Sequence, residues 1–217
     1  MNEEVLTPVL DWLDLAGVMI FALTGALVAA KERQTLVTLS FFALVTGVGG
    51  GTIRDLLIGA RVFWIEDPWV AAICLGVALF AWFTPTRWWE GRFLSIADGA
   101  GLAAYAVLGS AKALEYGVPP VPAVLMGIIT GTAGGMIRDV LAGRPSILMR
   151  PELYVTAAAL SASLTVIGEP LPFGSWVIWT AAALAGFTLR LAAIMMNLAL
   201  PSYDERGPKT DQDPKTR

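Results

Sequence analysis

The sequence contains no histidine and a single cysteine, Cys74. Without imidazole there is no histidine metal site, no His-based catalytic triad and no side chain that ordinarily titrates near neutral pH. One cysteine makes neither an internal disulfide nor a thiolate zinc site. Cys74 lies in an apolar run and reads as a small buried side chain. Charge is scarce as well. Of the 217 residues, 15% are charged and 56% hydrophobic, against about 25% charged in an average soluble domain. The mean hydropathy is +0.65. A net charge of −3 offers no broad electropositive surface for nucleic acid. Eight of the charged residues fall in the last fourteen positions, and Glu3 and Glu4 account for two more. The remaining body cannot supply the polar shell of a soluble domain, so the chain reads as an integral membrane protein. Apart from neighbouring Arg-Asp pairs there is no acid-base constellation, and no phosphate-cradling loop follows a strand. An enzyme is not expected.

What is abundant is apolar sequence, in seven runs: residues 13–30, 35–59, 69–85, 96–114, 121–143, 153–167 and 176–200. A helix crosses the hydrocarbon core with about 20 residues, so the third and sixth runs are short. Trp12, Trp64, Trp69, Trp82, Trp88, Trp89, Trp176 and Trp179 mark run ends, as in an aromatic belt at the headgroup level. The acidic N-terminal stretch (Glu3, Glu4, Asp11) lacks the basic region of a signal peptide, so the first run is expected to stay as a helix. With the N-terminus outside, the inner side holds Lys31, Arg33, Arg87, Arg92, Arg144 and Arg150, and the tail adds Arg206, Lys209, Lys215 and Arg217. The outer side holds only Arg61 and Lys112. This bias predicts the N-terminus outside and the C-terminus in the cytoplasm of a cell (inner) membrane. The polar tail, residues 201–217, is expected to be disordered there.

Self-comparison gives the most specific signal. Residues 46–59 match residues 130–143 at nine of fourteen positions, including Gly-Gly-x-x-Arg-Asp in both, at an offset of 84. The same offset aligns Asp14 with Asp98, Gly17 with Gly101, Phe21 with Tyr105 and Gly25 with Gly109. Residues of about 13–85 and 97–168 are therefore two copies of a three-helix unit. Three is odd, so the second copy enters from the opposite side. The expected fold is an all-α polytopic membrane protein forming one transmembrane domain, residues 1–200, with an inverted 3+3 repeat and an unpaired seventh helix at about 176–200.

Gly47, Gly50 and Gly51 fall near the middle of the second run, and Gly131, Gly134 and Gly135 near the middle of the fifth. Glycine costs about 1 kcal/mol relative to alanine inside a helix, so both helices are expected to kink there. Two symmetry-related interruptions at the midplane point to a solute pathway. Close helix packing through small-xxx-small motifs is the competing reading. Arg54-Asp55 and Arg138-Asp139 follow the clusters inside their spans, where charge usually faces water or a partner. Asp14 and Asp98 open the first helix of each unit, either as plain dipole-favoured N-terminal charges or as vestibule anions. Arg190, in the last run, is expected to pair with Asp139 or Asp98. Thr46, Thr52, Thr130, Thr132 and Ser110 complete the candidate lining. Local physics leaves the ion's sign open: half-helix N-termini favour anions, and carbonyl ends favour cations.

The doubled Gly-Gly-x-x-Arg-Asp motif, the 3+3+1 pattern and the outside N-terminus resemble the prokaryotic trimeric intracellular cation (TRIC) channels, and related bacterial sequences carry a paired domain named after glycine transport. The second copy departs from the triplet with Ala133 in place of its first glycine. The resemblance implies a homotrimer in the bacterial or archaeal cell membrane and one hourglass pore per subunit beside the kinked helices. It implies conduction of monovalent cations, chiefly potassium, with potassium as permeant ion and no cofactor. A carrier for glycine or another small zwitterion is the alternative, with an Arg-Asp pair as its anchors. A membrane scaffold is a third. The basic loops near Arg87, Arg92, Arg144 and Arg150 are candidate lipid contacts, and a plain orientation signal also accounts for their charges.

Overall fold

A computed structural model describes residues 3–89, 91–149 and 152–201; the rest of the tail lies outside the described residues. Among the described residues the secondary structure is helical, apart from one isolated bridge between Glu152 and Ala199. The α-helices are α1 (Glu3–Lys31), α2 (Leu36–Ile58), the four-residue α3 (Phe63–Glu66), α4 (Pro68–Phe83), α5 (Phe93–Glu115), α6 (Pro120–Leu141), α7 (Val155–Gly168) and α8 (Ser175–Met196). Five of them, α1, α2, α5, α6 and α8, are long and apolar enough to cross a membrane. The other two expected spans, α4 and α7, are apolar helices of 16 and 14 residues. At 1.5 Å per residue these extend only about 21–24 Å, less than a 30 Å hydrocarbon core.

Local chemistry sets the ends. The Thr35 hydroxyl accepts the amide of Thr38 at 3.3 Å and starts α2. The Asp67 carboxylate accepts the amide of Trp69 at 2.9 Å, and Pro68 occupies the first turn of α4, where a missing N–H costs nothing. Gly59 and Gly143 close α2 and α6 at φ 71° and 63°, a left-handed conformation suited to glycine.

The packing follows the repeat. α2 and α4 pack against α1 as α6 and α7 pack against α5, while α1 meets α5 and α2 meets α6 across the centre. Phe21 and Tyr105, related by the offset of 84, stack on one another with centroids 5.4 Å apart and planes 14° apart. A residue stacked on its own repeat mate marks the pseudo-two-fold axis. Even the short helix α3, beginning at Phe63, has its mate: a 3-10 turn, Ile147–Met149. α8 lies on α5 and α7 and has no counterpart. Large apolar side chains such as Val37, Phe83 and Trp176 point outward, the arrangement suited to a hydrocarbon solvent.

Two expectations change. α1 begins at Glu3, so Asp14 sits about three turns inside it and cannot act as an N-terminal dipole charge. Asp98 likewise lies inside α5. Each glycine cluster is carried by a single helix rather than by two halves. The glycines there serve contact. A methyl group at Gly50 would collide with the carbonyl oxygen of Thr130, and one at Gly134 would come within 2.6 Å of that of Thr46. The two clashes are repeat mates, so α2 and α6 cross backbone to backbone at the axis.

Candidate ion pathway: two buried Arg-Asp clusters

Each repeat builds one charged cluster. In the first, Arg54 Nε donates to Asp55 Oδ1 at 2.8 Å, and its two terminal nitrogens reach Asp14 Oδ1 and Oδ2 at 3.4 and 3.5 Å. Asp55 Oδ2 accepts the amide of Phe63 at 3.0 Å and so fixes the start of α3. In the second, Arg138 Nε donates to Asp139 Oδ1 at 3.0 Å, and Arg138 Nη1 donates to Asp98 Oδ1. Asp139 Oδ2 accepts the amide of Ile147 at 3.0 Å. Three contacts of each cluster have mates in the other at the offset of 84: the arginine Nε to its neighbouring aspartate, an arginine Nη1 to the carboxylate 40 residues earlier, and the second aspartate oxygen to the amide eight residues on. All six side chains are buried, with Arg54 and Asp55 wholly so. Charges at this depth persist only when paired and hydrogen-bonded, and a guanidinium fork holding two carboxylates meets that condition.

The clusters differ in their extra partners. Lys112, counted from sequence only as an outer-side charge, extends from α5 to place Nζ 3.0 Å from Asp55 Oδ1. Arg138 Nη1 has instead the neutral hydroxyl of Thr24 at 3.1 Å. The Tyr105 hydroxyl lies 3.3 Å from the carbonyls of both Asp14 and Gly47 and ties the axis to the first cluster.

Arg190 does not pair as expected. Its Nη2 donates to Glu152 Oε2 at 2.7 Å, and its guanidinium lies 5.2 Å from the Tyr154 ring centre. It still borders the second cluster, because its Cγ packs on Gly99, next to Asp98. Glu152, Tyr154 and the lysine link were missed from sequence. The offset offered no help, since the mate of Tyr154 is Val70 and that of Lys112 is Val28.

The candidate lining hydroxyls divide. Thr52, Thr130 and Thr132 donate to carbonyls of their own helices, Val48, Met126 and Ile128, at 2.7, 2.6 and 2.8 Å. Thr52 also accepts Trp64 Nε1 at 2.9 Å. Thr46 Oγ1 and Ser110 Oγ are buried without a hydrogen-bond partner among the described residues. Gly47 faces α1 and Cys74 of α4, whereas Gly131 faces the Leu102 carbonyl of α5. Gly51 lies under the Phe63 ring and Gly135 under the Tyr154 hydroxyl.

Two matching helical units with matching buried charge clusters define a multi-pass helical membrane protein of the repeat-built class. The family model described as Glycine transporter matches the chain twice, at residues 11–86 and 95–170, two stretches that are themselves 84 residues apart. The chain belongs to that family and to the prokaryotic TRIC channels. A TRIC trimeric intracellular cation channel orthologue from Rhodobacter sphaeroides is 40% identical, with TM-score 0.81 over 88% of this chain and 99% of that one. A structure described under conductance through TRIC cation channels is 27% identical, with TM-score 0.79 over 91% of this chain and 98% of the other. The UPF0126 inner membrane protein YadS of Escherichia coli (strain K12) is 35% identical over 206 residues, covering 90% of this chain and 98% of its own. These relatives are channels and membrane proteins rather than enzymes.

Proposed function

We propose that the chain is a homotrimeric channel for monovalent cations, chiefly potassium, with one pore in each subunit. The observation that carries this reading is the pair of symmetry-related buried Arg-Asp clusters, set on either side of a close α2–α6 crossing in a fold shared with cation channels. The N-terminus lies outside and the C-terminus in the cytoplasm, so the Arg54 cluster faces outward and the Arg138 cluster inward. α4 and α7 complete a set of seven spans despite their length. The backbone contacts at Gly50 and Gly134 leave no room for an ion between α2 and α6 at that crossing, so the path runs beside it. Opening bends the two helices at their glycine clusters and widens an hourglass beside that contact. Carboxylates then offset the arginines along the path and favour a cation.

The family description supports a second reading, a glycine carrier using an Arg-Asp pair for the substrate's two charges. Proteoliposomes separate the two. The channel reading expects potassium efflux that rises without saturation and no glycine uptake above empty vesicles. Saturable glycine uptake without potassium flux would replace it. Absence of both would leave the scaffold reading.

A further inference from the structure

Four long helices of the two repeats, α1, α2, α5 and α6, end alike. In each, a residue just past the helix donates its N–H three residues back, and the next residue donates five residues back. Arg33 reaches Ala30 and Gln34 reaches Ala29 after α1, as Gly117 reaches Leu114 and Val118 reaches Ala113 after α5. Gly59 with Ala60 and Gly143 with Arg144 do the same after α2 and α6. This ending needs one residue in the left-handed conformation, which glycine adopts without a steric cost. Three of the four positions are glycine: Gly59, Gly117 and Gly143, at φ 71°, 75° and 63°. The fourth is Arg33, at φ 54°, and its repeat mate is Gly117.

A long side chain on left-handed backbone carries a steric cost that persists where something offsets it. Orientation does not ask for it, because Lys31, inside the last turn of α1, already puts a positive charge at this end. Nor does a carboxylate hold it. Arg61 and Arg144, in other loops, each grip a glutamate, and Glu32, beside Arg33, is the partner of Arg144. The Arg33 guanidinium has no hydrogen-bond or ion-pair partner among the described residues. Arg33 instead lines a cavity of about 280 Å³ where α1 ends, α2 begins and α4 ends, together with Gln34, Leu39, Trp82 and Thr84. Trp82 is exposed, and Thr84 Oγ1 accepts Trp89 Nε1 at 2.9 Å. Two indoles at one helix end mark the headgroup level of a membrane.

We propose that this cavity binds the phosphate of an anionic membrane phospholipid, held by the Arg33 guanidinium, with Trp82 against the lipid's ester region. A planar guanidinium matches two phosphate oxygens at once, and phosphate is the acid that an unpaired arginine meets at this level. The site lies apart from the two Arg-Asp clusters and holds whether or not the chain conducts. The substitution that removes the ligand contact also removes the steric cost, so stability and binding move in opposite directions.

The test is thermal unfolding of the delipidated full chain in detergent at fixed ionic strength. Without lipid, Arg33→Gly is expected to raise Tm by about 2–4 °C over the wild type. Phosphatidylglycerol in mixed micelles is expected to raise the wild-type Tm by about 3–5 °C per tenfold in concentration above half-saturation. Arg33→Gly is expected to lose that rise, and Lys31→Gln, which removes the neighbouring charge, to keep it. Arg33→Asn, which also tolerates left-handed backbone, replaces the glycine variant if that one fails to fold. No rise with phosphatidylglycerol in the wild type overturns the site, and so does an equal rise in Arg33→Gly. An equal loss in Lys31→Gln overturns it in favour of diffuse charge, and an equal rise with diacylglycerol in favour of apolar contact. The same rise with inorganic phosphate alone overturns the lipid as the source and assigns the free ion. An Arg33→Gly chain that unfolds below the wild type without lipid overturns the trade-off. Unitary currents that persist when the lipid response is lost leave the channel reading untouched.

Discussion

The first-repeat and second-repeat clusters share a blueprint and differ in their extra partners. Both hang an Arg-Asp pair from the last turns of a glycine-rich helix, reach a carboxylate 40 residues earlier, and use the second Asp oxygen to fix a short helical turn. Lys112 completes the first, whereas Thr24 contributes only a hydroxyl to the second. Duplication thus preserved the scaffold of hydrogen bonds, and divergence changed the charge within it. The teaching is that a repeat can be symmetric in geometry and asymmetric in electrostatics.

The largest expected effect comes from removing the arginines. Breaking a buried ion pair by deleting one partner costs about 3–5 kcal/mol. Arg138→Ala is expected to lose the full amount, because Asp98 and Asp139 then face each other without a cation. Arg54→Ala is expected to lose less, because Lys112 stays on Asp55. Unfolding temperatures in detergent measure both, and equal losses would break the comparison. Next come the glycines at the axis. Gly50→Ala and Gly134→Ala push a methyl group into a backbone carbonyl that cannot swing aside, and overpacking of this kind costs about 1–3 kcal/mol. Gly76→Ala, in α4 with nothing within 4 Å, is expected to be neutral or to stabilise by up to about 1 kcal/mol. A loss at Gly76 matching that at Gly50 would mean helix propensity, not the α2–α6 contact, governs these sites. The smallest effect is expected outside the clusters. Arg61 bonds Glu66 at 3.0 Å with most of its side chain in the open, so Arg61→Ala should leave the unfolding temperature unchanged.

Much of the frame was legible in the sequence because duplication wrote it twice. The offset of 84 revealed the repeat and paired Arg54-Asp55 with Arg138-Asp139 and Asp14 with Asp98. It could not show that Arg54 reaches Asp14, because a 40-residue separation has no period to betray a contact. The glycines left two readings open for a physical reason. A run of glycines weakens a helix and also lets two helices touch, and only the partner decides between them; for Gly50 that partner is the Thr130 carbonyl of the other repeat. Arg190 was assigned by depth alone, so its bond to Glu152, in the segment before α7, escaped notice. Lys112 was read as an orientation signal because lysine near a helix end usually is one.

The most direct test of the channel reading is a planar-bilayer recording of the purified protein under a potassium chloride gradient. The account expects unitary currents that reverse near the potassium equilibrium potential. Currents reversing near the chloride potential, or a membrane without unitary events while glycine uptake saturates, would contradict it.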